Sequence, residues 1–177
     1  RVFLTDDSAH SPNAHRTQPA AWPANVTRRS LDPVGIRRMY ARASVVVVPL
    51  LASGFPFGIT AVLEAMSMGK AVVVSATEGL RGVVDDGRTG LVVGAGDVAA
   101  LRDALGHLMA DPGERRRLGE NARRAAERRY GLDAYVARLA QHMGLVDAAA
   151  EGAEGPKRGP HGKRPTLAKR KGESNEH

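Results

Sequence analysis

Residues 58–60, Gly-Ile-Thr, open an apolar helical period that runs to residue 68. A helix start presents backbone N–H groups that have no intrahelical partner, together with the positive end of the helix dipole, and the combination binds phosphate. Gly54 and Gly58 carry no Cβ, so the backbone there can approach a ligand closely. Glu64 lies about one turn further along, where a carboxylate accepts hydrogen bonds from vicinal hydroxyls such as those of ribose. Diphosphate at the helix end with hydroxyls beside it is the chemistry of a nucleotide sugar. The spacing alone leaves plainer alternatives open: Gly58 as a turn residue, and Glu64 as a solvated acid or one bonded within the core.

The flanking elements have to position these residues. Residues 45–50 (VVVVPL), 71–75 (AVVVS) and 90–93 (GLVV) are short, continuously apolar, β-branched runs, as expected of strands buried on both faces of a parallel sheet. Helical periods lie between and after them. Asp32 followed by Pro33 starts a helix through residue 43 that buries Ile36, Met39 and Tyr40. Residues 59–68 form a second helix ending at Gly69. Asp97 caps a third with Val98, Leu101, Leu105, Leu108 and Met109 in one stripe, stopped by Asp111-Pro112-Gly113. A charged helix over 114–130 and another over about 133–143 follow. Alternating strands and helices predict an α/β fold with a doubly wound parallel sheet, whose ligands bind beyond the carboxyl ends of the strands. Residues 51–60 and 76–80 are the loops at those ends.

Composition narrows the function classes. The 177-residue chain contains no Cys, which excludes disulfides, thiolate zinc sites and a thiol nucleophile and makes a reducing compartment the simplest setting. No apolar run approaches the roughly 20 residues of a membrane span. The formal charge of +7 invites a nucleic-acid partner, but its placement argues against one. Residues 151–177 hold seven basic and four acidic side chains, residues 113–130 hold seven and three, and the remainder balances at twelve of each. The arginines of 113–130 fall on several helix faces without interleaved aromatics, so a solvated face is expected and no specific nucleic acid. Residues 1–24 read as an irregular N-terminal segment, 25–147 as the folded domain and 148–177 as a disordered basic tail rich in Gly, Pro and charge. His10 and His15 beside Asp6 and Asp7 fit no common metal spacing, so no metal site is expected.

From about residue 25 to 139 the sequence resembles the C-terminal, nucleotide-sugar-binding domain of GT-B glycosyltransferases of the group 1, retaining kind. The resemblance rests on IRRMYARASVVVVPL, FGITAVLEAMSMGKAVVVS, GVVDDGRTGLVV, the helix after Gly96-Asp97, and DPGERRRLGENARRAAERRYGLDAYVARL, in family order. It implies transfer of a hexose from a nucleotide diphosphate sugar to a hydroxyl acceptor with retention, without a metal cofactor. Glu64 falls on the second Glu of the family's E-x7-E motif, similar in role to a ribose clamp. Phe57, Gly58, Ile59 and Thr60 resemble the segment whose amides meet sugar and diphosphate. Gly79 resembles the second of a sugar-facing glycine pair, with Glu78 where the first is usual and a plain turn as the alternative.

Two departures qualify that resemblance. Position 55 or 56, depending on register, lacks the first Glu of the motif, and the step from Gly58 to Glu64 is one residue longer than usual, an insertion we expect to be absorbed within residues 53–57. The family's diphosphate-neutralising Arg and Lys, and its acceptor-binding N-terminal domain, belong upstream of the matched segments; Arg28 and Arg29 are not at matching positions and read as exposed. The alternatives are therefore a non-catalytic nucleotide-sugar-binding fragment or degenerate remnant and, after it, a basic nucleic-acid-binding protein. A cytoplasmic location is expected, with a peripheral one at the inner membrane face as its variant.

Overall fold

A computed structural model of the chain describes residues 2–4, 22–52 and 57–145. Strands β1 (Val2–Leu4) and β2 (Val26–Arg28) pair in parallel, with Val2 opposite Val26 and Leu4 opposite Arg28. β1 lies in the stretch read as irregular: three residues are too few to show a period. The expected tail and the His10/His15 cluster fall outside the described residues.

Helix α1 (Pro33–Arg42) begins as the sequence predicts, with the Asp32 carboxylate accepting from the Gly35 N–H at 2.7 Å and Pro33 at the first helical position. It leads into β3 (Val45–Val48). Helix α2 (Ile59–Ser67) then crosses to β4 (Ala71–Ala76), and a loop containing the 3-10 turn Glu78–Leu80 leads to β5 (Leu91–Gly94). The three strands form a parallel sheet in the order β3-β4-β5, with Val46 opposite Val72 and Val74 opposite Val92.

Alternation along the strands gives the sheet two apolar faces. Val46, Val48, Val72, Val74 and Val92 pack with Tyr40, Val62, Met66 and Ala122. Val45, Val47, Val73, Leu91 and Val93 pack with Leu101, Leu105, Leu108 and Leu118. Val72 and Val73 are both fully buried, so β4 is covered on both faces, as a doubly wound sheet requires.

The last three helices are α3 (Val98–Ala110), α4 (Pro112–Tyr130) and α5 (Leu132–His142). Asp97 caps α3 by accepting from Ala100 N–H at 2.9 Å. Two expectations about α3 need correction. Val98 and Met109, placed on its buried stripe, are 67% and 60% exposed. Asp111-Pro112 is a start as well as a stop, since the Asp111 carboxylate accepts from Glu114 N–H at 2.9 Å and Pro112 opens α4.

The arginines of α4 are used largely for structure. Arg115 donates to the Leu108 and Met109 carbonyls, and Arg117 to Glu114 and to the Gly87 carbonyl. Arg123 pairs with Glu127, Arg124 with the Asn121 side chain, and Arg129 with Asp85 at 3.1 Å. Exposed pairs of this kind add little stability each. Arg117 and Arg129, together with Asn121, which donates to the Arg88 carbonyl, hold the 85–90 loop against α4. No helix among the described residues is long and apolar enough to cross a membrane.

Candidate functional site

The two expected site loops follow the carboxyl ends of neighbouring strands, β3 and β4, and a hydrogen bond joins those ends: Leu50 N–H donates to Ser75 Oγ at 2.9 Å. Ser75 is buried, so its hydroxyl fixes the chain where it leaves β3.

Gly58 is the N-cap of α2, with φ +79° and no side-chain cap hydrogen bond. α1, α3 and α4 each place an Asp carboxylate at that position. The helix is regular from its first turn, with Val62 N–H donating to the Gly58 carbonyl at 3.0 Å. No extra residue is therefore absorbed between Gly58 and Glu64; of residues 53–57, where absorption is expected, 53–56 lie outside the described residues. A Cβ on Gly58 would meet Val48 Cγ1 at 2.8 Å and Leu50 Cδ1 at 3.2 Å, so the loop closes directly onto the end of β3. Phe57 is 58% exposed and Thr60 exposed, while Gly58 and Ile59 are half-buried.

Glu64 sits on the same helix, exposed, and is bonded to another element. The Tyr40 hydroxyl on α1 donates to Glu64 Oε2 at 3.1 Å. Tyr40 is 6% exposed, and its hydroxyl is pushed up to about 12, first by burial, then by the Glu64 charge and by their hydrogen bond. The unfolded phenol ionises near its ordinary value of 10.0. Tyr40 thus contributes its full stability below pH 10, and that contribution is lost as pH rises from about 10 to about 12, because the unfolded chain releases the proton first. Urea unfolding at about pH 9 and about pH 11.5 should show a smaller alkaline loss in Tyr40→Phe than in the parent chain. Equal losses would show that Tyr40 is not held in this way.

Gly79 lies within the 3-10 turn Glu78–Leu80, half-buried. The turn borders an open cavity of about 360 Å³ at the carboxyl ends of β4 and β5, lined by Ser75, Thr77, Glu78, Leu80, Arg81 and Val92. Glu78 and Arg81 pair at 2.5 Å. The Thr77 Oγ1 atom is buried without a hydrogen-bond partner among the described residues, an arrangement costly unless something completes it. No group of three or more His, Asp or Glu among the described residues could hold a metal. Arg28 is half-buried in β2, against expectation, and Arg29 is exposed.

The sequence reading missed Tyr40, Ser75 and Thr77 as parts of the site. Tyr40 carried the clearest signal, since a buried Tyr needs a partner for its hydroxyl, but nothing local named Glu64 as that partner.

Residues 30–125 match the family model described as Glycosyl transferases group 1, and the chain belongs to that family. It is 44% identical over 110 residues to the D-inositol 3-phosphate glycosyltransferase of Xylanimonas cellulosilytica, covering 60% of this chain and 25% of that protein. Its fold matches the sucrose-phosphate synthase from Thermosynechococcus elongatus with a TM-score of 0.59 at 31% identity, over 68% of this chain and 30% of that one. It also matches Anabaena Alr3699/HepE, solved in complex with UDP-glucose, with a TM-score of 0.61 at 22% identity, over 70% and 33% of the two chains. The chain adopts part of the α/β architecture of a GT-B glycosyltransferase. It spans about a quarter of the length of the curated relatives it matches.

Proposed function

We propose that this chain supplies the donor-binding half of a hexosyltransferase that moves a sugar from a nucleotide diphosphate sugar to a hydroxyl acceptor with retention of the anomeric configuration. The observation that carries this is the start of α2: a left-handed Gly58 with no side-chain cap, closed against β3, on the same helix as a carboxylate held by Tyr40. The solved complex of Alr3699/HepE with UDP-glucose supports the same ligand class. The amides of Ile59 and Thr60 would meet the diphosphate, Glu64 the ribose hydroxyls, and Phe57 and Gly79 the sugar side. Dipole and amides aimed at the leaving diphosphate stabilise charge as it builds there, and no metal is needed for that role. An acceptor domain outside these residues would supply the second substrate.

A second reading, nucleotide-sugar binding without turnover, is favoured by the missing first Glu of the motif. Calorimetric titration of the chain with UDP-glucose and GDP-mannose, beside an assay of donor hydrolysis, separates the two. We expect binding of one donor, weakened about 10-fold in Glu64→Gln through loss of a charge-assisted hydrogen bond. Donor hydrolysis selects the first reading, binding without hydrolysis assigns this chain donor binding alone, and binding of neither donor counts against both.

A further inference from the structure

Glu64 is held by a partner that does not itself belong to the donor-binding loops. Its Oε2 accepts from a hydroxyl on a different helix, 24 residues away in sequence. The Tyr40 ring is buried in the same core cluster as Val62, Ala65 and Met66, so the hydroxyl has little freedom to move. Glu64 has the opposite character: it is exposed, with three side-chain torsions. An exposed carboxylate must be ordered before it can accept from two vicinal hydroxyls at once, and a group ordered in advance binds more tightly.

We propose that Tyr40 is a positioning residue for the nucleotide ribose: its buried hydroxyl orients the Glu64 carboxylate so that the acid meets the 2′ and 3′ hydroxyls of a ribonucleoside diphosphate. This rests on the donor-binding role of Glu64 proposed above. A carboxylate has about four acceptor sites, and Tyr40 uses one, which leaves capacity for both hydroxyls. Satisfying a buried phenol could as well be done by a backbone carbonyl. A solvent-facing acid as its partner couples the core to the surface where the ligand would lie.

The probes are UDP and GDP, each beside its 2′,3′-dideoxy counterpart, titrated calorimetrically into the full chain and its Tyr40→Phe variant, which keeps the ring. In the parent chain the dideoxy form should bind about 10-fold more weakly. In Tyr40→Phe the ribonucleotide should lose about 5-fold and the dideoxy form nothing, so that discrimination shrinks. In a Glu64→Ala background, which leaves the Tyr40 hydroxyl no acceptor at position 64, Tyr40→Phe should then change neither affinity. If Tyr40→Phe weakens both ligands equally, or leaves discrimination intact, its role is packing alone and the proposal falls while the donor site stands. If the parent chain does not distinguish the ribo from the dideoxy form, Glu64 does not read ribose and the donor-site assignment falls with it. Should Tyr40→Phe fold poorly, Glu64→Asp decides: it keeps the charge but draws the carboxylate back from Tyr40, and undiminished discrimination there overturns the proposal.

Discussion

Gly119→Ala should destabilise the fold by about 2–3 kcal/mol, although helix propensity alone predicts a gain of about 1 kcal/mol. Gly119 lies mid-helix in α4 and is buried. A Cβ there would lie 2.2 Å from the Gly69 carbonyl oxygen, 3.0 Å from its carbon and 3.4 Å from Ala71 N. All three are backbone atoms, so no rotamer change can relieve the contact. Gly69 follows the end of α2 and Ala71 opens β4, hence α4 must retreat from both or the turn must move. Either response loosens Leu118 and Ala122, which are fully buried on the two sides of the sheet. Gly106→Ala is the control, for Gly106 is exposed in α3 with nothing within 4 Å of its added Cβ. Urea unfolding should place Gly106→Ala at or above the parent chain and Gly119→Ala well below it. A gain in both variants would mean that α4 does not approach the turn this closely.

The elements were legible where a local pattern decides them and lost where length or a distant partner does. The three valine-rich runs became the three strands of one sheet, but only β4 is buried along most of its length; β3 and β5, expected to be buried on both faces, are largely half-buried because each has a single neighbour in this sheet. Val98 and Met109 obey the period of α3 yet lie in solvent. β5 is four residues long, or about 13 Å, while α3 is thirteen, or about 20 Å, so the helix is longer than the strands it packs on and its two ends lie in solvent. A period cannot show how far the partner extends. Asp111-Pro112 was ambiguous because proline stops one helix and, at the first position, suits the next. The site divides in the same way. Gly58 and Glu64 were visible as types at a spacing, whereas the Tyr40 hydroxyl that meets Glu64 and the Ser75 hydroxyl that ties β3 to β4 are contacts between elements that only the fold brings together. The net charge was legible by segment, but the use of Arg117 and Arg129 to fasten the 85–90 loop was not.

Gly58→Ala should abolish most donor affinity, by about 100-fold or more, while the chain still folds. Two effects act together. The residue sits at φ +79°, where an L side chain costs about 1–2 kcal/mol, and its Cβ would meet Val48 Cγ1 at 2.8 Å. Val48 is itself buried at the end of β3, so it yields poorly and the helix start shifts instead. The N–H groups of Ile59 and Thr60 then leave the position where they would meet a diphosphate. Hydrogen bonds to a charged group contribute about 1.5–3 kcal/mol each, so displacing two accounts for the expected loss. Adding Val48→Ala separates the causes: it opens the steric contact without touching the backbone conformation, so affinity should return in part and stability should not. Full recovery would assign the whole effect to crowding against β3. Affinity for UDP-glucose or GDP-mannose unchanged in Gly58→Ala would show that the start of α2 is not the phosphate site.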